Sequence, residues 1–156
     1  MTTAYAFAVG IGIVAGLRSL TAPAAVSWAA HLGWLDLQGT PLAFMGSWVA
    51  VAIFSVLAIG EYVADLLPNT PNRITSKPLT ARIVMGALSG ACLCAAAHQS
   101  LLIGAVAGAV GGVVGAFSGY EARRRLVSGL KVKDALIAIP EDLVAIGLAF
   151  FLVSPP

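Results

Sequence analysis

Apolar residues run along this chain in blocks separated by short polar or Pro/Gly-rich breaks. Read as helices, the blocks predict five membrane-crossing segments: 4–32 (A), 42–67 (B), 79–98 (C), 101–120 (D) and 139–154 (E). A hydrocarbon core of about 30 Å takes roughly 20 apolar residues per helix, and all but E reach that length. Segment E is short and is expected to cross a thinned or tilted region. The fold class that follows is all-α: a polytopic transmembrane helix bundle of about five spans, with residues 1–156 as one integral membrane domain.

Segment A is too long for one simple crossing, reaching roughly 43 Å at about 1.5 Å per residue. It is broken by GLRSLTAPAA, residues 16–25. Pro23 removes a backbone donor, and Ser19 and Thr21 can bond the freed carbonyls. A kinked or discontinuous first helix is expected, with Arg18 at the break. Irregular backbone at membrane depth survives where protein or a watery cavity surrounds it. Pro68 and Pro71 end segment B in a turn-rich loop. Pro78 introduces C with Thr80 as its candidate cap, and His98-Gln99-Ser100 reads as a tight turn. Between D and E, KVKDALIAIP reads as a separate amphipathic interfacial helix. Pro140 then falls near the first position of E, with Glu141 and Asp142 in its first turn, where acids complement the helix dipole.

Glycine spacing changes the picture of D. Gly104, Gly108 and Gly112 recur every four residues, as do Gly111, Gly115 and Gly119. Shorter versions occur at Gly86 and Gly90 in C and at Gly12 and Gly16 in A. Such faces let two backbones approach closely. Static packing within a chain or between subunits satisfies the pattern, and so does a pore or a moving interface. EYVAD (61–65) and EDLVA (141–145) are faintly alike, raising the idea of A–B and D–E units related by an inverted repeat.

Composition agrees with a membrane chain: 59% of residues are apolar and 10% charged, against a usual quarter charged in soluble domains. The distribution of charge matters more than the net of +2. With alternate threading, Arg73, Lys77, Arg82, Arg123, Arg124, Arg125, Lys131 and Lys133 all fall on one face, and the other face has no Lys or Arg. By the positive-inside tendency this predicts an inner-membrane protein with its N-terminus cytoplasmic and its C-terminus outside. Trp28, Trp34 and Trp48 then fall near the uncharged face, and Tyr5, Tyr62 and Tyr120 near the basic one.

The candidate chemistry is ionic. Charges within spans are rare and face the protein interior. Arg18 is the deepest, and Glu61 is the acid expected to pair with it or share its cavity, although the two lie at different depths in A and B. Glu61 and Asp65, four apart, share one face of B. Arg82 opens C, and Glu141 and Asp142 open E. Together these six form a candidate binding site around the inner mouth for an ion or polar solute, or else interhelical salt bridges. Arg73, Lys77 and Arg123–Arg125 are placed to meet lipid headgroups. Enzyme signatures are poor: no Ser-His-Asp grouping, no phosphate loop, and His31 and His98 too weak to argue a metal site. Cys92 and Cys94, two apart on a helix, cannot easily pair and read as buried thiols. No cofactor and no nucleic-acid partner is expected.

The segment EYVADLLPNTPNRITSKPLTARIVMGALSGA resembles the signature region of a bacterial membrane family, the domain of unknown function 4126. Glu61, Asp65, Pro68 and Arg82 occupy its E-x3-D, Pro and Arg positions. GLRSLTAPAA is similar to its early G-L-R segment, placing Arg18 and Pro23. Leu66-Leu67 stands where the family pattern has Lys-Ile, which removes a cation beside the acids. The resemblance implies a small integral membrane protein and supplies no activity. The expected function is a small transporter or channel-like carrier, not an enzyme, working as a homo-oligomer. The alternative is a structural or assembly protein that binds lipid headgroups.

Overall fold

The computed structural model describes residues 2–67 and 74–155, with the backbone alone at 134 and 135. The described residues form six helices and no strand: α1 (Thr2–Leu17), α2 (Thr21–His31), α3 (Trp48–Asp65), α4 (Ser76–Ala96), α5 (Leu101–Leu130) and α6 (Asp134–Val153). A single 3-10 turn at Ala43–Gly46 precedes α3. By length and apolarity α3, α4, α5 and the greater part of α6 can each cross a membrane, and α1 is apolar but shorter. The chain is a membrane-helical bundle.

Three helices, α1, α4 and α5, meet backbone to backbone through their glycines. Gly90 faces Gly104, Gly86 faces Gly108, and Gly112 faces Arg82, so α4 and α5 are antiparallel. Val9 faces Gly111 and Ile13 faces Gly115, so α1 runs parallel to α5. There is no room for a side chain at these crossings. A Cβ at Gly86 would lie 2.5 Å from the Gly108 oxygen, and one at Gly112 would lie 2.8 Å from the Arg82 oxygen. Without a hydrophobic drive between helices in lipid, this close packing is what holds them together.

The first segment departs from its expected course. Since α1 is antiparallel to α4, it runs from the Cys94 end, where the Cys94 thiol lies 3.9 Å from the Ala4 oxygen, to Arg82 at the other. α2 is antiparallel to α3: Ser19 meets Glu61, Thr21 meets Tyr62, Trp28 meets Ser55, and His31 meets Gly46. It also packs on α4 and α6. Ala22, Ala25, Val26 and Ala29 share one buried cluster with Ile11, Cys92 and Ala149. The chain therefore doubles back at Arg18–Leu20. Segment A is two opposed helices, not one kinked crossing.

This reversal moves the N-terminus. Ala4 lies at the end of the bundle that carries the His98–Ser100 turn, and Tyr5 goes with it, away from the basic end. α6 runs from Asp142 beside Arg18 to Leu152 against Gly10, so it points towards that same end. Both termini thus face one way, where alternate threading of five spans had put them on opposite faces. It also makes α1 and α5 parallel, which removes the inverted A–B and D–E relation.

Helix ends differ from expectation in three places. α4 starts at Ser76, so Pro78 sits in the first turn, where backbone N–H groups lack helical partners anyway. Thr80 is inside the helix, its hydroxyl donating to the Ser76 carbonyl at 2.7 Å. α5 continues to Leu130, closed by Lys131 in the left-handed conformation at φ 50°. Only 131–133 separate it from α6, so KVK is the link, DALIAIP is the head of α6, and Pro140 is a mid-helix proline. At 20 residues α6 is about 30 Å long, enough to span. The turn at His98–Ser100 agrees with the sequence: the Ser100 hydroxyl accepts from the Ile103 amide at 3.4 Å, and His98 takes φ 53°.

Candidate functional site

A chain reversal inside a bundle leaves two helix ends with orphan polar groups: free carbonyls where α1 stops and free amides where α2 starts. Both ends receive a charged side chain from another helix. The Arg82 guanidinium donates to the Leu17 carbonyl at 2.8 Å, and also to that of Gly16. On the other side Glu61 accepts from the Ser19 amide at 2.9 Å, the Ser19 hydroxyl at 2.7 Å and the Leu20 amide at 3.0 Å. A cation on a helix C-terminus and an acid on an N-terminus both complement the macrodipole. Segment A can turn within the bundle because α3 and α4 supply the missing partners.

Arg18 lies between these caps. Its amide still bonds the Val14 carbonyl at 2.7 Å, so it closes the last turn of α1. Its side chain is 0% exposed. The guanidinium pairs with Asp65 at the end of α3 and with Asp142 in α6. Its carbon lies 5.4 Å from the centre of the Tyr62 ring, and the Tyr62 hydroxyl bonds that of Thr21 at 2.6 Å. Arg123 of α5 extends the cluster, 4.0 Å from Asp65 and 3.7 Å from Glu141. The buried Arg18 thus ties α1, α3 and α6 together, and the partly exposed Arg123 brings in α5.

All six residues predicted for the ion or solute site converge here, although not in the pairing the sequence suggested. Glu61 was the expected partner of Arg18; it caps α2 instead, and the two aspartates take the arginine. The reversal also resolves the mismatch in depth between Arg18 and Glu61. Arg123, assigned to lipid headgroups, belongs to this junction. Arg124 and Arg125 are exposed and pair with Glu121 one turn away on their own helix. Lys77 is exposed. Arg73 and the Pro68 position of the family pattern lie outside the described residues.

Sequence reasoning missed the polar seam between α2 and α3. The Trp28 indole donates to the Ser55 hydroxyl at 3.0 Å. Thr21 with Tyr62, Ser19 with Glu61, and Arg18 with Asp65 follow in order towards the basic end. Past its other end, beyond the packed rings of Trp28, Trp48 and His31, lies a pocket of about 620 Å³ lined by His31, Asp36, Gln38 and Ser47 among others. The signal in the sequence was the seven-residue spacing of Ser55 and Tyr62, which puts both on one face of α3. Cys92 and Cys94 are buried free thiols. Among the described residues no group of three or more His, Cys, Asp or Glu could hold a metal ion.

The family model described as Domain of unknown function (DUF4126) matches residues 5–156, and the chain belongs to that family. No curated protein and no solved structure matches it.

Proposed function

We propose that this protein is a small inner-membrane carrier for an ion or polar solute, and that the solute moves along the seam between α2 and α3. The observation that carries the reading is the series of polar pairs along the α2–α3 interface, Trp28 with Ser55, Thr21 with Tyr62 and Ser19 with Glu61, that ends at the Arg18–Asp65 pair. Polar and ionisable groups inside a membrane are expensive and mark pathways. Half-helix ends meeting at a buried charge are a recurrent way to build such sites. α3 is the candidate moving element. Its Gly60 face is open, and its polar contacts include those to α2, to Arg18 and to Arg123. A charged solute that displaces Asp65 from Arg18 loosens α3 at one end.

In this proposal the basic end is cytoplasmic, by the positive-inside tendency. Both termini then face the outside. The apolar outer surface of α3, with Val49, Val56, Ile59 and Val63 exposed, is the surface for a second copy in a homo-oligomer. No catalytic chemistry is assigned.

The alternative, a structural or assembly protein, is favoured by one observation: Arg18 is fully enclosed by ion-pair partners. The test uses reconstituted vesicles and a panel of proton, sodium, potassium, chloride and a small zwitterion. The carrier reading expects flux of one of these above empty vesicles. It also expects loss of that flux in Arg18→Gln/Asp142→Asn, a double change that keeps the fold by removing the acid along with its cation. Unchanged flux in the double variant, or none in the parent for any solute, leaves the structural reading.

A further inference from the structure

The last turns of α5 and the head of α6 enclose a second cavity that plays no part in the seam. It holds about 600 Å³ and its walls are almost wholly apolar, with Leu126, Leu130, Val132, Leu136, Ile137 and Val144 among them. Its deep end reaches Leu17 and Gly119 beside the junction, where Arg123 and Glu141 face it. This groove exists because α5 continues past Gly119, its last buried residue, to Leu130. It is then joined to α6 by only three residues.

Charge tells what fills it. Residues 121–133 carry five cations, Arg123, Arg124, Arg125, Lys131 and Lys133, against the single acid Glu121. The apolar wall and the cations alternate along the chain: Arg125 precedes Leu126, and Lys131 and Lys133 flank Val132. Lys131 and Lys133 are exposed. A groove of hydrocarbon character at the basic end of a membrane bundle, with the exposed Lys131 and Lys133 on either side of its wall residue Val132, is complementary to one molecule class. An amphiphile with an apolar chain and an anionic head satisfies both parts. Cations at a membrane surface attract anionic headgroups, and an acyl chain gains free energy with every methylene it buries.

We infer that this groove is a binding site for an anionic phospholipid, one acyl chain lying between α5 and α6 and the phosphate held by Lys131 and Lys133. The site is independent of the carrier reading. A lipid here wedges the α5–α6 hairpin open next to Arg123 and Glu141, which couples lipid composition to the ionic junction.

The test is lipid-dependent thermal stability of the delipidated protein in detergent, with dioctanoyl phosphatidylglycerol and dioctanoyl phosphatidylcholine as probes. Phosphatidylglycerol is expected to raise the melting temperature at a half-saturating concentration roughly tenfold or more below that of phosphatidylcholine. Lys131→Gln/Lys133→Gln, on the exposed link, is expected to erase the preference without changing stability in the absence of lipid. Ala122→Trp places a ring into the groove and is expected to abolish the response to both probes. Equal responses to the two headgroups, or an unchanged preference in the double lysine variant, overturn the proposal. A full response in a folded Ala122→Trp protein does the same. So does a native mass spectrum in which the groove-dependent ligand is a peptide, because the occupant is then a partner helix.

Discussion

Replacing Arg18 by Gln separates the partners of the ionic junction by how much each depends on it. Removing one member of a buried ion pair typically costs about 3–5 kcal/mol, chiefly because the remaining charge stays buried and uncompensated. Here two carboxylates are left behind, and their situations differ. Asp65 keeps Arg123 at 4.0 Å. Asp142 is paired with Arg18 itself. Glu61 loses nothing, since its oxygens are held by the amides of Ser19 and Leu20 and the Ser19 hydroxyl. The order of rescue follows. Asp142→Asn added to Arg18→Gln should recover about 2 kcal/mol, and Asp65→Asn less than about 1 kcal/mol. Glu61→Gln should recover nothing and cost about a further 1–2 kcal/mol through the lost cap and dipole interaction. The assay is unfolding in detergent followed by tryptophan fluorescence, since Trp28 and Trp48 report the α2–α3 contact. For a chain of this size the single variant should melt on the order of 10 °C lower. Rescue by Glu61→Gln as good as that by Asp142→Asn would refute the assignment of partners and restore the direct Arg18–Glu61 pair.

Other outcomes follow from the same geometry. Cysteines placed at Thr3 and Gln99 should be labelled from one side of the membrane and a cysteine at Lys131 from the other; labelling of Thr3 with Lys131 restores a single kinked first crossing. The native Cys92 and Cys94 are buried and should stay unlabelled. Gly112→Leu should prevent normal folding, because even a Cβ there would lie 2.8 Å from the Arg82 carbonyl oxygen. Gly60→Leu, where nothing lies within 4 Å, should leave stability within about 0.5 kcal/mol, unless that face of α3 holds a second copy. In that case the variant changes size on gel filtration while its monomer remains folded. Ser55→Leu removes the acceptor of the Trp28 indole and should lower stability by about 1–3 kcal/mol, read from the same fluorescence melt.

Much of the architecture could be read from residue pattern because it depends on local quantities. Apolar run length decides whether a helix can span, and glycine spacing decides which faces can touch another backbone. The candidate residues Arg18, Glu61, Asp65, Arg82, Glu141 and Asp142 were legible for the same reason: a charge within an apolar run must find a partner. Direction was not legible. A break of three residues at Arg18–Leu20 reads equally as a kink or a reversal, since the amphipathic period is the same whichever way the next helix runs. Pro140 misled in a similar way, being read as a boundary where α6 simply accommodates it. Partner choice was the other unknown. Arg18 and Asp65 are 47 residues apart, and which acid takes the arginine depends on which helix end lies beside it. Only tertiary structure decided that Glu61 faces two free amides, where a carboxylate is worth most, while the aspartates face the cation. Composition and periodicity determine that charges must be satisfied in a low-dielectric bundle; the path of the chain determines by whom.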